Sequence, residues 1–284
     1  MFVKITENKK FDADNEIIKA TNSFNYIQNV IMYDICSSFT MFDDIENAPT
    51  DFKIKMKDVI DVLGWGDSGN AYNYIVEQVK DLQKKQLILY SNDKSKELSM
   101  ILFPTTLYNR ETKEIEIDFN RKALPFFMNL SKCFCSIEVK KLREIRNEKA
   151  QKLYSYLHLW INTKNKVEYS LNELKRIIRI ECKEYGNFKR DHLDKIIKEI
   201  NNIDKDLKLK YNEIKNGRKV VAIEFSYNKK KQEHLIKQQE ANRRERIAKS
   251  VVEFESGVYK PVFQVRETKT NKTKTKKEDQ RLPF

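Results

Sequence analysis

The 284-residue sequence predicts an α+β fold in which one order of elements occurs twice, followed by a basic, partly disordered C-terminal tail. Three observations predict it. Between Phe188 and Asn201, Leu193, Ile196, Ile197 and Ile200 recur at spacings of three and four, the stripe of an amphipathic helix. Alternating runs through Leu207, Leu209 and Tyr211 and through Val221, Ile223, Phe225 and Tyr227 flank Lys215-Asn-Gly-Arg218, and Asn-Gly between such runs signals a hairpin. The same order, a helix, a strand, a short helix, a turn, a longer helix and a hairpin, stands roughly 115 to 120 residues upstream with almost no residue identity. A long helix joined to a basic-tipped hairpin outlines a winged helix, so the predicted fold class is two tandem winged-helix domains.

Taken in order, residues 1–14 read as a flexible polar arm, 15–130 as the first winged helix, 131–228 as the second and 229–284 as the tail. A helix from Asn25 to Phe39 is followed by a short strand at Asp51–Ile54 and a short helix at Lys57–Leu63, which Gly64-Trp-Gly66 stops. Ser68 caps the longer helix, Asn70–Lys84, whose inner stripe is Tyr72, Val76, Val79 and Leu82. Strands at Leu87–Tyr90 and Leu98–Phe103 form the hairpin of this unit, and a second hairpin, Thr106–Tyr108 with Ile115–Phe119, extends its sheet.

A connector carrying Lys140, Lys141, Arg143 and Arg146 leads into a helix at 148–162, with Leu153, Tyr154, Leu157 and Trp160 or Ile161 on one face. Val167–Tyr169 is a strand. Ser170-Leu-Asn-Glu173 is a capping box, in which serine and glutamate satisfy each other's backbone amides, and it opens a helix bearing Leu174 and Ile177. The longer helix and hairpin of the second unit follow.

Charge is distributed unevenly. Residues 1–129 hold 16 cations against 20 anions, residues 130–228 hold 23 against 14, and residues 229–284 hold 16 against 8. A polyanion-binding surface therefore belongs mainly to the second half, although a solvated lysine-rich face is the plain alternative. Four scattered cysteines and three scattered histidines leave no zinc spacing, and no cofactor is expected. The six glycines build no phosphate-binding loop, and no acid/base pair or activated nucleophile stands out, so the chain is not expected to be an enzyme. His158 reads as a packed or partly exposed histidine at the core edge. With no signal-peptide run and no apolar stretch of membrane-spanning length, a cytoplasmic protein without a membrane partner is expected.

A recognition helix presents its leading residues to a groove edge, which points to Asn187, Lys189, Arg190 and Asp191, with Lys195 on the polar side. Arginine reads guanine bidentately and asparagine reads adenine. The wing offers Lys215, Arg218 and Lys219 to phosphates. In the first unit the outward face of the longer helix carries Asn70, Asn73, Tyr74, Glu77 and Gln78, hydrogen-bonding rather than cationic; Asn70, Asn73 and Tyr74 are candidate DNA contacts of weaker affinity, with self-association or an ordinary polar face as the alternatives.

Tyr185-Gly-Asn-Phe-Lys-Arg-Asp-His-Leu-Asp-Lys-Ile-Ile-Lys-Glu-Ile-Asn201, with Asp206–Tyr211 and Gly217–Phe225, resembles the second winged helix of the iteron-binding plasmid replication initiators. Lys149–Tyr154, Tyr169–Leu174 and the Asp118-Phe-Asn120 strand end are similar to the same family's flanking elements, so the resemblance spans roughly residues 15 to 228. It implies an origin-binding protein whose monomers bind direct repeats in double-stranded DNA and help melt an AT-rich element. It also implies dimers that pair through the first winged helix and repress the initiator's own gene, and a host initiator and a replicative helicase as partners. Phe188, Leu193 and Ile197 match family core positions and Lys189 and Arg190 its basic pair. Asp191-His192 replaces a basic and an aliphatic residue, so base preference does not transfer. Beyond the resemblance, Gln280, Leu282 and Phe284 are similar to peptides that bind the replication sliding clamp. A transcriptional repressor with the same folds and no replication role is the second reading. An enzyme, for instance a nuclease whose carboxylates converge only in three dimensions, is the third.

Overall fold

The computed structural model describes residues 1, 3, 9–20, 22–42, 44–90, 95–128, 130, 134–161 and 163–228. The tail, including Gln280, Leu282 and Phe284, lies outside the described residues.

The first strand, β1 (Lys10–Asp14), corrects the reading of a loose arm. Phe11 and Ala13 are buried, and so is the charged Asp12 between them, so the segment lacks the alternation of apolar and polar residues in and out that marks a strand. Helix α1 (Asn15–Lys19) follows under an Asp14 cap, and then α2 (Tyr26–Ser38), which opens on a capping box between Asn25 and Gln28. Almost every residue of α2 is buried, making it the central post of the first unit.

Strand β2 (Asp51–Lys55), α3 (Met56–Leu63) and α4 (Gly69–Leu82) build a helix-turn-helix. The turn is made by Gly64, whose φ of 66° is the left-handed conformation that ends a helix without a Cβ clash. Ser68 caps α4 by accepting from the Ala71 amide at 3.3 Å.

After α4 come two hairpins, β3 (Gln86–Tyr90) with β4 (Glu97–Ile101), and β5 (Thr106–Asn109) with β6 (Glu114–Asp118). They do not share a sheet as expected. β6 pairs with β2 and with β5, whereas β3 and β4 pair with each other. The wing of the first unit is therefore β5–β6, and β3–β4 is a separate hairpin placed before it. Phe39, Phe52, Phe103, Phe119 and Phe127 form the core beneath, with ring centroids 4.7 Å apart for Phe39 and Phe119. Aromatic edges and faces meet there at tilted angles, as their quadrupoles favour.

Strand β7 (Phe134–Glu138) runs antiparallel to β1, from Lys10 opposite Glu138 to Asp14 opposite Phe134. The pairing crosses the border expected at residue 130, so the start of the connector packs with the first unit. Helix α5 (Val139–Glu144) is its continuation. The cations read there as a basic stretch are partly internal. Arg143 is buried and binds the buried Asp34 of α2 through two hydrogen bonds, and Lys141 pairs with the buried Asp204 at 3.2 Å.

The second unit follows with α6 (Glu148–His158), β8 (Lys166–Ser170) and α7 (Leu171–Ile177). α6 ends at His158 rather than at 162, and Ile161, not Trp160, is the buried member of the expected pair. Ser170 accepts from the Glu173 amide at 3.2 Å, the serine half of the expected capping box. His158 is buried, with Nδ1 2.9 Å from the Tyr154 carbonyl, and desolvation lowers its pKa.

A continuous helical segment then runs through α8 (Tyr185–Phe188), a π-helical turn at Lys189–Leu193 and α9 (Asp194–Ile203). It leads to β9 (Lys210–Asn216) and β10 (Lys219–Ser226), and the sheet order is β8-β10-β9. That order repeats β2-β6-β5 of the first unit. The wing strand starts at Lys210 rather than Leu207. Lys208 adopts a φ of 46°, and the Asn201 side chain bonds both the amide and the carbonyl of Leu209, at 2.8 and 2.9 Å, in place of a strand neighbour.

Candidate nucleic-acid interface

The π-helical turn decides how the leading end of the recognition helix is presented. Phe188 and Leu193 are both fully buried yet five residues apart, which an α-helix separates by about 140° around its axis. One turn of i to i+5 hydrogen bonding brings both into the core, and such turns are frequent at functional sites. Polar residues occupy positions 191 and 192, where an unbroken α-helix following Phe188 would need an apolar one. That gap in the stripe is the sequence signal for the turn.

On the outer side, Arg190 lies between two neighbours. Its Nη2 donates to Asn187 Oδ1 at 3.2 Å and to Asp191 Oδ2 at 2.8 Å, while Nε donates to Asp191 Oδ1 at 2.9 Å. The Arg190 side chain is 71% exposed. The bonds to Arg190 hold the Asp191 carboxyl below its ordinary pKa and raise that of the guanidinium. The result is a pre-oriented polar edge made of Asn187, Arg190 and Asp191. Lys195 and Lys198 are exposed further along the same segment.

Lys189 does not join this edge. Its ammonium donates to the Tyr211 hydroxyl on the wing, sits 4.8 Å from the centre of that ring, and lies 3.5 Å from Asp194 and 3.6 Å from Glu213. Tyr211 in turn donates to Asp194, and Tyr185 donates to Glu213 at 2.8 Å. The bond to Tyr211 raises the Lys189 pKa, and the bond from Tyr185 lowers that of Glu213. Lys189 thus fastens the helix to β9. Tyr211, read from sequence as one apolar member of an alternating strand, is the hub of this clamp.

The wing tip is a two-residue turn at Gly217-Arg218, with Asn216 opposite Lys219. Gly217 has a φ of 59° and takes the first central position, where a type II′ turn favours glycine. The central pair is therefore Gly-Arg rather than Asn-Gly, which displays Arg218 and Lys219 in the open. Lys215 is also exposed and lies 3.5 Å from Glu213. Val221 is an extra residue in β10, where the register shifts between Val220 and Ala222, and its side chain is exposed.

In the first unit Asn70, Asn73 and Tyr74 are exposed along α4. Gln78 is not part of that face. Its side chain accepts from Asn25 and its carbonyl accepts from Gln28, tying α4 to α2. Trp65, which the sequence marks only as part of a helix stop, lies in the helix-turn-helix turn. It lies 5.8 Å from Tyr74 between ring centroids, and the two form an exposed aromatic pair beside Asn70 and Asn73. A large aromatic between two glycines was the signal available for it.

The chain matches two models of one family, "Initiator Replication protein, WH1" over residues 10–158 and "Initiator Rep protein, WH2" over residues 170–227. Its fold is similar to that of the Pi initiator protein, solved in complex with iteron DNA, with a TM-score of 0.65 and 18% identity over 79% of this chain and 100% of that one. Two structures of domains 2 and 3 of RctB align at TM-scores of 0.40 and 0.41 with 15% identity, over 68% and 73% of this chain and 80% and 84% of those. Among curated protein sequences none matches.

Proposed function

The chain belongs to the initiator replication protein family, and on that footing we propose that it initiates plasmid replication by binding direct repeats at an origin. The observation that carries this reading is the exposed Asn187-Arg190-Asp191 edge on a recognition helix, flanked by a wing tip bearing Lys215, Arg218 and Lys219. Arg190 is the base reader, since Asp191 holds its guanidinium in plane through Nε and Nη2, and exchange of the Asn187 bond for guanine frees the parallel Nη1 and Nη2 donors. Asn187 supports it, and Asp191 sets its orientation. Lys195 and the wing cations neutralise phosphates, supplying affinity without sequence preference. Asn70, Asn73 and Tyr74 give the first unit a second, uncharged reading edge.

Initiation on this reading works through binding energy rather than a covalent step. Contacts with both units favour a distorted duplex, which lowers the cost of opening an adjacent AT-rich tract. Self-pairing, with repression of the initiator's own gene, is the part we assign to the net acidic first unit. A mobility-shift titration of the full chain against its direct repeat and a scrambled duplex, at matched salt, tests the reading. Preference for the repeat that falls on Arg190→Ala supports it, whereas equal binding to both duplexes overturns it.

A further inference from the structure

The connector between the two winged helices does more than join them. Glu199, on the inner half of α9, accepts through one carboxylate oxygen from the backbone amides of Arg146 and Asn147, at 2.7 and 3.0 Å. The Arg146 side chain reaches the other way, and its Nη1 donates to the carbonyl of Leu63 at 2.6 Å. Leu63 is the last residue of α3, directly before the Gly64 turn that launches α4. One residue therefore spans from the recognition helix of the second unit to the helix-turn-helix of the first.

Neighbouring contacts fix this residue in place. Arg146 lies 5.9 Å from the centre of the Tyr26 ring, and the Tyr26 hydroxyl donates to the Arg143 carbonyl at 2.6 Å. Arg143 is bound to Asp34 inside the first unit. On the far side Asn147 caps α6, accepting from the Lys149 amide at 2.9 Å. Asp204, at the C-terminal end of α9, pairs with Lys141 and accepts from Tyr154 at 2.8 Å. The C-terminal part of the recognition helix is thus fastened to the connector at two points, Glu199 and Asp204.

The geometry points to Glu199 and Arg146 as positioning residues that hold α4 and α9 at a set offset, so that the protein selects the spacing between the two halves of its repeat as well as their bases. Neither side chain needs to touch DNA. A rigid offset makes binding by the second helix intramolecular only when both half-contacts fall at the right separation, and the advantage is lost when they do not. This inference rests on the proposal that both winged helices bind one repeat. Two added base pairs shift the halves by about 7 Å and about 70°. A connector free to swing would absorb much of that change; a clamped one would not.

The experiment measures dissociation constants of the full chain for one repeat and for versions with one or two base pairs inserted or deleted between its halves. Wild type is expected to lose on the order of 10- to 100-fold with a two-base-pair change, comparable to one or two mismatched base pairs. Arg146→Ala and Glu199→Ala are expected to bind the native repeat several-fold more weakly, yet to lose less than about three-fold on the altered spacings. Glu199→Gln keeps the accepting oxygen and should restore the wild-type spacing penalty, which a merely stabilising role for Glu199 does not require. Variants that keep the full spacing penalty overturn the inference while leaving the proposed function standing. Equal binding of the wild type to repeat and scrambled duplex overturns both.

Discussion

Arg190 and Lys189 are adjacent cations with opposite assignments. Arg190 faces outward between Asn187 and Asp191, whereas Lys189 faces the wing and is held by Tyr211, Asp194 and Glu213. Arg190→Ala should therefore cost about 1–3 kcal/mol of specific binding and relax preference at one base position, read from a base-substitution scan. Lys189→Met should change affinity less steeply across bases, since it removes a helix-to-wing tie. Arg143 has a third fate. Removing it strands the fully buried Asp34 carboxylate, so Arg143→Ala should lower unfolding stability by about 3–5 kcal/mol, measured by denaturant titration. The residue types at 187 to 191 were legible as an interface. The division of labour between positions 189 and 190 was not, because it depends on which way one π-helical turn rotates them.

Among elements, the recognition helix and the wing had the clearest sequence signals, a stripe at three and four and a Gly-containing turn between alternating strands. Two details followed from tertiary context instead. Packing both Phe188 and Leu193 forced the π-helical turn, and glycine's tolerance of positive φ set the wing turn one residue later than Asn-Gly implied. Gly217→Ala should accordingly cost about 1–2 kcal/mol from the backbone alone, since open space surrounds the position, and a thermal melt reads that loss. The first wing was misplaced because β3–β4 and β5–β6 carry equally good hairpin patterns. Only pairing with β2 tells which hairpin belongs to the sheet. Strand β1 was missed for a related reason, since a five-residue edge with two inward apolar residues is too short to stand out.

For the whole molecule, the least legible feature was the way the units are bonded. Its contacts join residues far apart in sequence, such as Arg146 with Leu63 and Lys152 with the end of α1. Lys152 Nζ donates to the carbonyls of Ile18 and Ala20 at 2.8 and 2.9 Å, and desolvation, aided by Arg179, lowers its pKa to about 7 from 10.5. Between those values the unfolded chain binds more protons than the folded one, so this residue makes stability rise with pH from about 7 to about 10.5. Below about 7 both states are protonated and its contribution to the slope ends. Denaturant unfolding at pH 7 and pH 9 should show a smaller rise in Lys152→Met than in wild type. The charge asymmetry, by contrast, is plain in the sequence, and DNA affinity of the full chain is expected to fall steeply with added salt, as a titration at two salt concentrations would read.

If two recognition helices read one repeat, a hydroxyl-radical footprint of the full chain on a single repeat shows it. Two protected patches are expected about one helical turn apart, roughly 10 base pairs centre to centre, both weakened together in Arg190→Ala because the two helices are held at one offset. A single patch that Arg190→Ala leaves unchanged would contradict it.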